Sequence, residues 1–268
     1  MSAVLDPAVP AALHALVDRV AERQRADFGH MVSDLKADGT LITACDRWSD
    51  AALVGGLADL FPHDGVLSEE GDKRVPASNA YWVVDPLDGT TNFAAGIPYW
   101  AISMARFQAG VPVLAVLDVP PLRQRIVAIR GRGAWRNGKP LQPPSRHAHP
   151  AGCASLCSRS IGVLQKLPDR RFPGKIRMLG VASLNLVSVA MGQTVAALEA
   201  TPKIWDLAAA WLVLQELHCP LRWLVRDPGG IPAGTDLATT DFPVLAADRA
   251  ATFERFVPWA EALIAPTA

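Results

Sequence analysis

One stretch constrains this chain more than any other: Tyr81-Trp82-Val83-Val84, large and β-branched, runs directly into Asp85-Pro86-Leu87-Asp88-Gly89-Thr90-Thr91-Asn92-Phe93. The apolar run, bounded by Asn79 and Pro86, reads as a buried strand, so two carboxylates leave the interior of a sheet together. Pro86 restricts Asp85 to an extended conformation and fixes the next φ, while Gly89 permits a sharp turn. Asp85 and Asp88 can therefore converge on one point, and like charges that converge need a cation. Hard carboxylate oxygens suit Mg²⁺, which keeps coordination positions for water and a substrate phosphate. A lone Asp-x-x-Asp-Gly reads more simply as a surface turn. Its neighbours shift the balance: Glu69-Glu70 follows a short apolar segment, and Asp206 opens the otherwise apolar helix of Trp205-Asp206-Leu207-Ala208-Ala209. Taken singly, the glutamates read as a solvated loop, and Asp206 as a helix N-terminal charge favoured by the dipole.

Elsewhere helix and strand patterns are distributed along the chain. Leu13, Leu16, Val17 and Val20 follow the spacing of one helical face, predicting a helix over residues 7–28 that Gly29 stops. A second helix is predicted over residues 46–60, with Ala51, Leu53, Val54, Leu57 and Leu60 as its apolar face and Pro62 beyond its end. Residues 36–43, between them, read as a polar turn and a short extended run. Strands are predicted at residues 101–107, 111–117 and 125–129, and Asn137-Gly138 signals a tight hairpin, giving a meander. The proline-rich polar segment 142–152 marks a boundary between an N-terminal α+β subdomain, residues 1–145, and a C-terminal α/β subdomain, residues 146–268, of one compact unit. In the second half helices are predicted over residues 182–191, 205–217 and 249–264, with strands over 194–198 and 221–225.

Composition narrows the function classes. The chain of 268 residues is 50% hydrophobic and 19% charged, which excludes a disordered chain. Lys+Arg and Asp+Glu balance at 26 each, so no basic excess points to nucleic acid or a membrane surface. Cys45, Cys153, Cys157 and Cys219 form no Cys-x-x-Cys pair, and their low density argues against a disulfide scaffold. The first residues lack the basic start and apolar core of a signal peptide, so the expected location is the cytoplasm. The most apolar region, residues 179–198, contains Ser183, Asn185, Ser188, Gln193 and Thr194, and reads as a buried helix followed by a strand rather than a membrane span.

Glu-Glu, then Asp-Pro-Leu-Asp-Gly-Thr-Thr-Asn-Phe, then Trp-Asp-x-Ala-Ala, in this order, resembles the inositol monophosphatase family of Mg²⁺-dependent, lithium-sensitive phosphatases. Lys36-Ala37-Asp38-Gly39-Thr40 through Thr43 and Asp46, and Gly180-Val181-Ala182-Ser183-Leu184-Asn185, are similar to two further family segments. The motifs run from Lys36 to Asp206. The resemblance implies a layered α/β/α/β/α sandwich of the sugar-phosphatase type, a mixed α/β (α+β) fold whose site lies where the two halves meet. It implies that Glu69, Asp85 and the Leu87 carbonyl hold one Mg²⁺, and that Asp85, Asp88 and Asp206 hold a second. Glu69 and Thr90 would position the attacking water, without a phosphoenzyme. Backbone N–H groups around Gly89, Thr90 and Thr91, if they open a helix, would bind phosphate oxygens. A phosphate dianion is repelled by bare carboxylates, so four acids around one site make sense only with cations between them and the substrate. A homodimer is implied by the family alone.

Other candidates carry two readings. Lys36 alone reads as a solvated lysine, but beside Asp38, Thr43 and Asp46 at the family's spacing it reads as a group near the water or phosphate. Asp46 either caps the second helix or acts as an outer ligand of a third, loosely held Mg²⁺. Glu199 corresponds to a glutamate that bonds substrate hydroxyls in inositol monophosphatases, and Ala182 to a backbone contact; Ser158 is a further hydroxyl candidate. His147 and His149 read as part of a polar linker, and Trp205 as a residue packed beside the site that helps fix Asp206. Ser68 departs from the glycine usual before Glu-Glu, without touching a metal ligand. Gly-Thr-Thr-Asn-Phe also separates this chain from the branch acting on 3′-phosphoadenosine 5′-phosphate, which usually continues Gly-Thr-Lys-Glu-Phe. The expected activity is Mg²⁺-dependent hydrolysis of a small polyol phosphate, with inositol 1-phosphate first and histidinol phosphate, fructose 1,6-bisphosphate and 3′-phosphoadenosine 5′-phosphate as rivals. A metal-binding scaffold without turnover is the alternative outside enzymology.

Overall fold

Pro10, with an extended ψ of 135°, starts α1 (Ala11–Asp27) in the computed structural model, which describes residues 9–30, 33–36, 39, 41–144 and 152–266. A short hairpin, β1 (Ser33–Leu35) with β2 (Leu41–Thr43), leads into α2 (Ala44–Leu60). Thr43 caps α2 and sets its start two residues earlier than predicted: the Thr43 hydroxyl accepts from Cys45 and Asp46 N–H, and Asp46 accepts from Thr43 N–H in return. The chain then forms β3 (Gly65–Ser68), β4 (Ala80–Asp88), the one-turn helix α3 (Thr90–Ala94), β5 (Ala101–Gln108), β6 (Val111–Val119), β7 (Gln124–Ile129), β8 (Gly133–Arg136) and β9 (Lys139–Pro140). The second half contains β10 (Cys153–Leu156), α4 (Val163–Lys166), β11 (Lys175–Arg177), α5 (Ala182–Ala190), β12 (Ala196–Glu199), α6 (Ile204–Glu216), β13 (Leu221–Trp223), β14 (Val244–Ala247) and α7 (Ala250–Ile264).

The first half builds a sheet of order β3-β4-β5-β6-β7-β8-β9, the expected meander. It is not wholly antiparallel, because β3 joins its edge parallel to β4. The strand at Tyr81 also outruns Pro86, its expected end, and reaches Asp88. Its register against β5 shifts between Asp85 and Asp88, and a bulge of this kind accommodates a proline that cannot donate to the ladder.

Both faces of this sheet are covered, which explains the unbroken apolar run. Trp82 and Val84 face α1 and α2, packing against Leu13, Val17, Leu53 and Leu57. Their neighbours Tyr81 and Val83 face the opposite way, into a core shared with Leu184, Val187, Leu207 and Leu212 of α5 and α6. Beyond α5 and α6 lies the second sheet, of order β11-β10-β12-β14-β13, with parallel and antiparallel pairs. Phe256 and Trp259 of α7 and Val163 of α4 cover its far side over Leu156, Leu198 and Leu245. The layers run α/β/α/β/α, as expected. Strands β10, β11 and β14 had no counterpart in the sequence reading, and β13 ends at Trp223, short of the exposed Val225. All four cysteines are free thiols. Among the described residues no helix is long and apolar enough to cross a membrane.

Candidate functional site

Two layers, the first sheet and the helices packed on it, contribute to one acidic centre. Asp85 and Asp88 lie at the C-terminal end of β4, and Asp206 lies in the first turn of α6. One carboxylate oxygen from each falls within 4.8 Å of the others, an arrangement able to hold a metal ion. Asp85 and Asp206 are each oriented by a backbone N–H close by in the chain: Leu87 N–H donates to Asp85 Oδ1 at 2.9 Å, and Lys203 N–H donates to Asp206 Oδ2 at 2.8 Å. Asp88 reaches across to the start of α5, where Ser183 N–H donates to its Oδ2 at 2.8 Å. Without a cation, burial raises the Asp85 carboxyl well above its usual range, reinforced by Glu69, Asp88 and Asp206. Burial pushes Asp88 up to about 6, with Glu69 adding to the shift. Asp206 is raised well above its usual value by burial, then by Asp88 and Glu69. Three hard oxygen donors brought together in a buried site, each with a raised pKa, fit a divalent cation such as Mg²⁺.

Glu69 and Glu70 follow β3, where Glu69 N–H donates to Val84 O at 3.1 Å. Lys36 Nζ bonds Glu69 Oε1 at 2.8 Å and also Glu70 Oε1, so it joins the acidic site instead of pointing into solvent. Burial alone would lower its pKa, but Glu69 and Glu70 reverse that and raise it, keeping the ammonium charged. Asp46 performs the capping role, as the third helical residue of a capping box closed by Thr43. Its free Oδ1 does more: Thr90 Oγ1 donates to it at 2.7 Å, with Leu87 O as a longer alternative at 3.1 Å. Gly89, Thr90 and Thr91 do open a helix, the five-residue α3. Its early N–H groups have no acceptor within the helix.

Gly89 has a φ of +102°, and a Cβ there would lie 2.8 Å from Val181 Cγ2 and 3.3 Å from Tyr99 O. Gly89→Ala is therefore expected to cost about 1–3 kcal/mol of stability. A thermal melt checks this, and an unchanged midpoint would mean that the turn has another conformation open to it.

On the second-half side, Glu199 ends β12, fully enclosed, with Asn185 Nδ2 donating to its Oε1 at 2.8 Å. Burial, then the Asp88 charge, outweigh that bond and push the carboxyl up to about 8. Ala182 is the first residue of α5, beside the Ser183 N–H that holds Asp88. Ser158 is exposed at the start of a 3₁₀ turn, whereas the preceding Cys157 has its thiol within reach of Glu199. Cys157 and Asn185 are the site neighbours that sequence reasoning did not single out as side chains; Asn185 stood in a quoted motif, while Cys157 carried no signal. The Trp205 carbonyl accepts from Ser103 Oγ at 3.2 Å, which ties the start of α6 to β5 beside Asp206. Asp38, Thr40, His147 and His149 lie outside the described residues.

With this geometry in hand, comparison with known proteins is direct. The profile described as inositol monophosphatase family matches residues 1–222. The histidinol-phosphatase of Mycobacterium tuberculosis is 34% identical over 241 residues, spanning 84% of this chain and 90% of that protein. A protein of Neisseria meningitidis serogroup B named putative Nus factor SuhB is 32% identical over 80% of this chain and 85% of its own length. Among solved structures, an IMPase/NADP phosphatase complexed with Mg²⁺ and phosphate superposes with a TM-score of 0.75 at 24% identity, over 91% of this chain and 93% of that one.

Proposed function

Because the chain belongs to the inositol monophosphatase family, and so is a phosphoric monoester hydrolase, we propose that it hydrolyses a small polyol phosphate, with inositol 1-phosphate as leading substrate, in a Mg²⁺-dependent reaction. The observation that carries this reading is the convergence of Asp85, Asp88 and Asp206, drawn from a strand and a distant helix onto one buried point. In this assignment Asp85, Asp88 and Asp206 would hold one Mg²⁺, and Asp85, Glu69 and the Leu87 carbonyl would hold another; Asp46 would be an outer ligand of any third, loosely held ion. Bound Mg²⁺ neutralises the phosphate and the leaving alkoxide and lowers the pKa of the attacking water. The IMPase/NADP phosphatase solved with Mg²⁺ and phosphate supports that choice of ion.

The chain's own groups then divide the work. The Thr90 hydroxyl donates its proton to Asp46, so its oxygen lone pairs are left to accept from water. Asp46, held in turn by Thr43, keeps that direction fixed. Glu69 accepts a second water proton, and Lys36, bonded to an oxygen of each of Glu69 and Glu70, places its positive charge near that water and the phosphate. Backbone N–H groups of Gly89, Thr90 and Thr91 bind phosphate oxygens. Glu199, Ala182 and Ser158 line the leaving-group side, and Cys157, beside Glu199, joins them. Residues 1–145 and 146–268 act as two subdomains of one compact unit with the site between them, and the working form is a homodimer in the cytoplasm.

Histidinol phosphate is the second reading, favoured by the identity to the Mycobacterium histidinol-phosphatase. Its amine would draw the Glu199 carboxyl into its ionised form. Phosphate release with Mg²⁺ and with EDTA, from inositol 1-phosphate, histidinol phosphate, fructose 1,6-bisphosphate and 3′-phosphoadenosine 5′-phosphate, separates the readings. A strong Mg²⁺-dependent preference for inositol 1-phosphate is expected. Preference for another ester reassigns the substrate, and Mg²⁺ binding with no turnover on any of them favours a scaffold.

A further inference from the structure

Gln24 lies on α1, outside every motif described above, and is fully buried at 0% exposure. Its Nε2 donates to the Pro86 carbonyl at 2.7 Å and to Ser49 Oγ at 3.1 Å, and its Oε1 accepts from Trp100 Nε1 at 3.0 Å. The orientation of the amide is forced, because a carbonyl only accepts and an indole N–H only donates. Trp100 is itself held, stacked on Phe28 with ring centroids 4.6 Å apart and edge-on to Phe93 at 5.0 Å.

Pro86 and Leu87 sit in the bulge of β4, between the last regular pair with β5 at Asp85 and the resumed one at Asp88. The backbone groups of a buried bulge need partners outside the ladder. The Pro86–Leu87 peptide is one rigid plane whose C=O and N–H point in opposite directions. Gln24 holds the carbonyl end, and the N–H end donates to Asp85 Oδ1. The direction of the Asp85 carboxylate is thus set from α1 through a single peptide plate. The plate leads directly into the Leu87 carbonyl, which the Thr90 hydroxyl also reaches.

We propose that Gln24 is a positioning residue of the metal centre: by gripping the Pro86–Leu87 peptide it aims Asp85 at Asp88 and Asp206. This rests on, and deepens, the reading of those acids as metal ligands. Partners one shell out from a ligand typically contribute about 10–100-fold in metal affinity or activity.

The test is Mn²⁺ binding to metal-free protein by calorimetry, with thermal melts and Mg²⁺-dependent kinetics alongside. Gln24→Met keeps the length and removes both polar ends; Mn²⁺ affinity and kcat are expected to fall about tenfold, with KM at saturating metal unchanged. Leu16→Ala, on the same helix and packed on Gly56, supplies a loss of stability with no contact to Pro86. Its metal affinity is expected to match wild type. Gln24→Glu adds a pH signature: the neutral acid can donate to Pro86 O and the anion cannot, so its affinity relative to wild type should fall as pH rises. Trp100→Phe, which frees Gln24 Oε1 while keeping an aromatic ring in the cluster with Leu87 and Phe93, gives a smaller loss in the same direction should Gln24→Met not fold. Gln24→Met melting like Leu16→Ala while retaining wild-type Mn²⁺ affinity overturns the inference. Wild-type protein that binds no Mn²⁺ overturns the metal reading itself, and the inference with it.

Discussion

Replacing Asp85 with asparagine is expected to lower kcat by roughly a thousandfold, about 4 kcal/mol, while the fold persists and the metal-free protein becomes more stable at neutral pH. The two effects have one cause. Asp85 is 1% exposed and faces Asp88 and Asp206, and its carboxyl is raised by burial and then by its acidic neighbours. In the folded chain without metal it is therefore a buried charge held against its own kind. Asparagine keeps an Oδ1 for the Leu87 N–H, so the bulge retains its internal bond. What disappears is the charge, which repels in the empty site and binds in the loaded one. Asp206→Asn is expected to do the same, since an asparagine oxygen still accepts from Lys203 N–H at the start of α6. Each kcal/mol of relieved repulsion shifts the melting midpoint by about 2–4 °C in a chain of this size. Phosphate release at saturating Mg²⁺ and melts in EDTA read the two arms separately. Near-normal turnover would remove the substituted residue from the metal scheme.

The acids were legible because their signal is local. Pro86 and Gly89 within four positions of Asp85 announce a turn at the end of a buried strand, whatever the rest of the chain does. That Asp206 meets them, more than a hundred residues later, came from resemblance to a family, since no spacing rule brings the first turn of α6 onto the end of β4. Helices with a sustained apolar face, such as α1 and α2, were readable to within a few residues. Strands β10, β11 and β14 were not. Each has only three or four residues, and all four residues of β14 are buried, so neither alternation nor length marks it. Their partners also come from separated parts of the chain, as β10 lies parallel to both β11 and β12. The 3₁₀ turn at Ser158–Ser160 leaves Ser158 exposed and the preceding Cys157 thiol beside Glu199, a placement that no local pattern announces. Gln24 was invisible for a different reason. A glutamine one turn beyond Val20 reads as the polar edge of an amphipathic helix, and only the position of Pro86 above it shows that the site is buried and its amide fully used.

Removing metal should abolish activity and reverse the pH dependence of stability. Asp88 is raised from 3.8 to about 6, and Asp85 and Asp206 lie well above their usual values, in each case chiefly through burial. A group whose pKa is higher in the folded chain than in the unfolded one binds its proton better when folded. Its contribution is fully present below the unfolded value of 3.8 and is lost as pH rises through the folded value, which for Asp88 is about 6. Glu199, raised from 4.5 to about 8, extends the loss toward the alkaline side. In EDTA the protein is therefore expected to melt higher near about pH 5.5 than near about pH 7.5. Mg²⁺ acts against this gradient, because it binds the same carboxylates only after their protons leave. At roughly a hundred times its dissociation constant it adds about 2.7 kcal/mol at the higher pH, and progressively less as the site protonates. Melting midpoints with EDTA and with Mg²⁺ should lie close together at the acid end of that range and draw apart as pH rises, with activity returning only on the Mg²⁺ side. Curves that stay parallel would mean that the three aspartates do not share one ion, since protons and metal would then not be competing for the same oxygens.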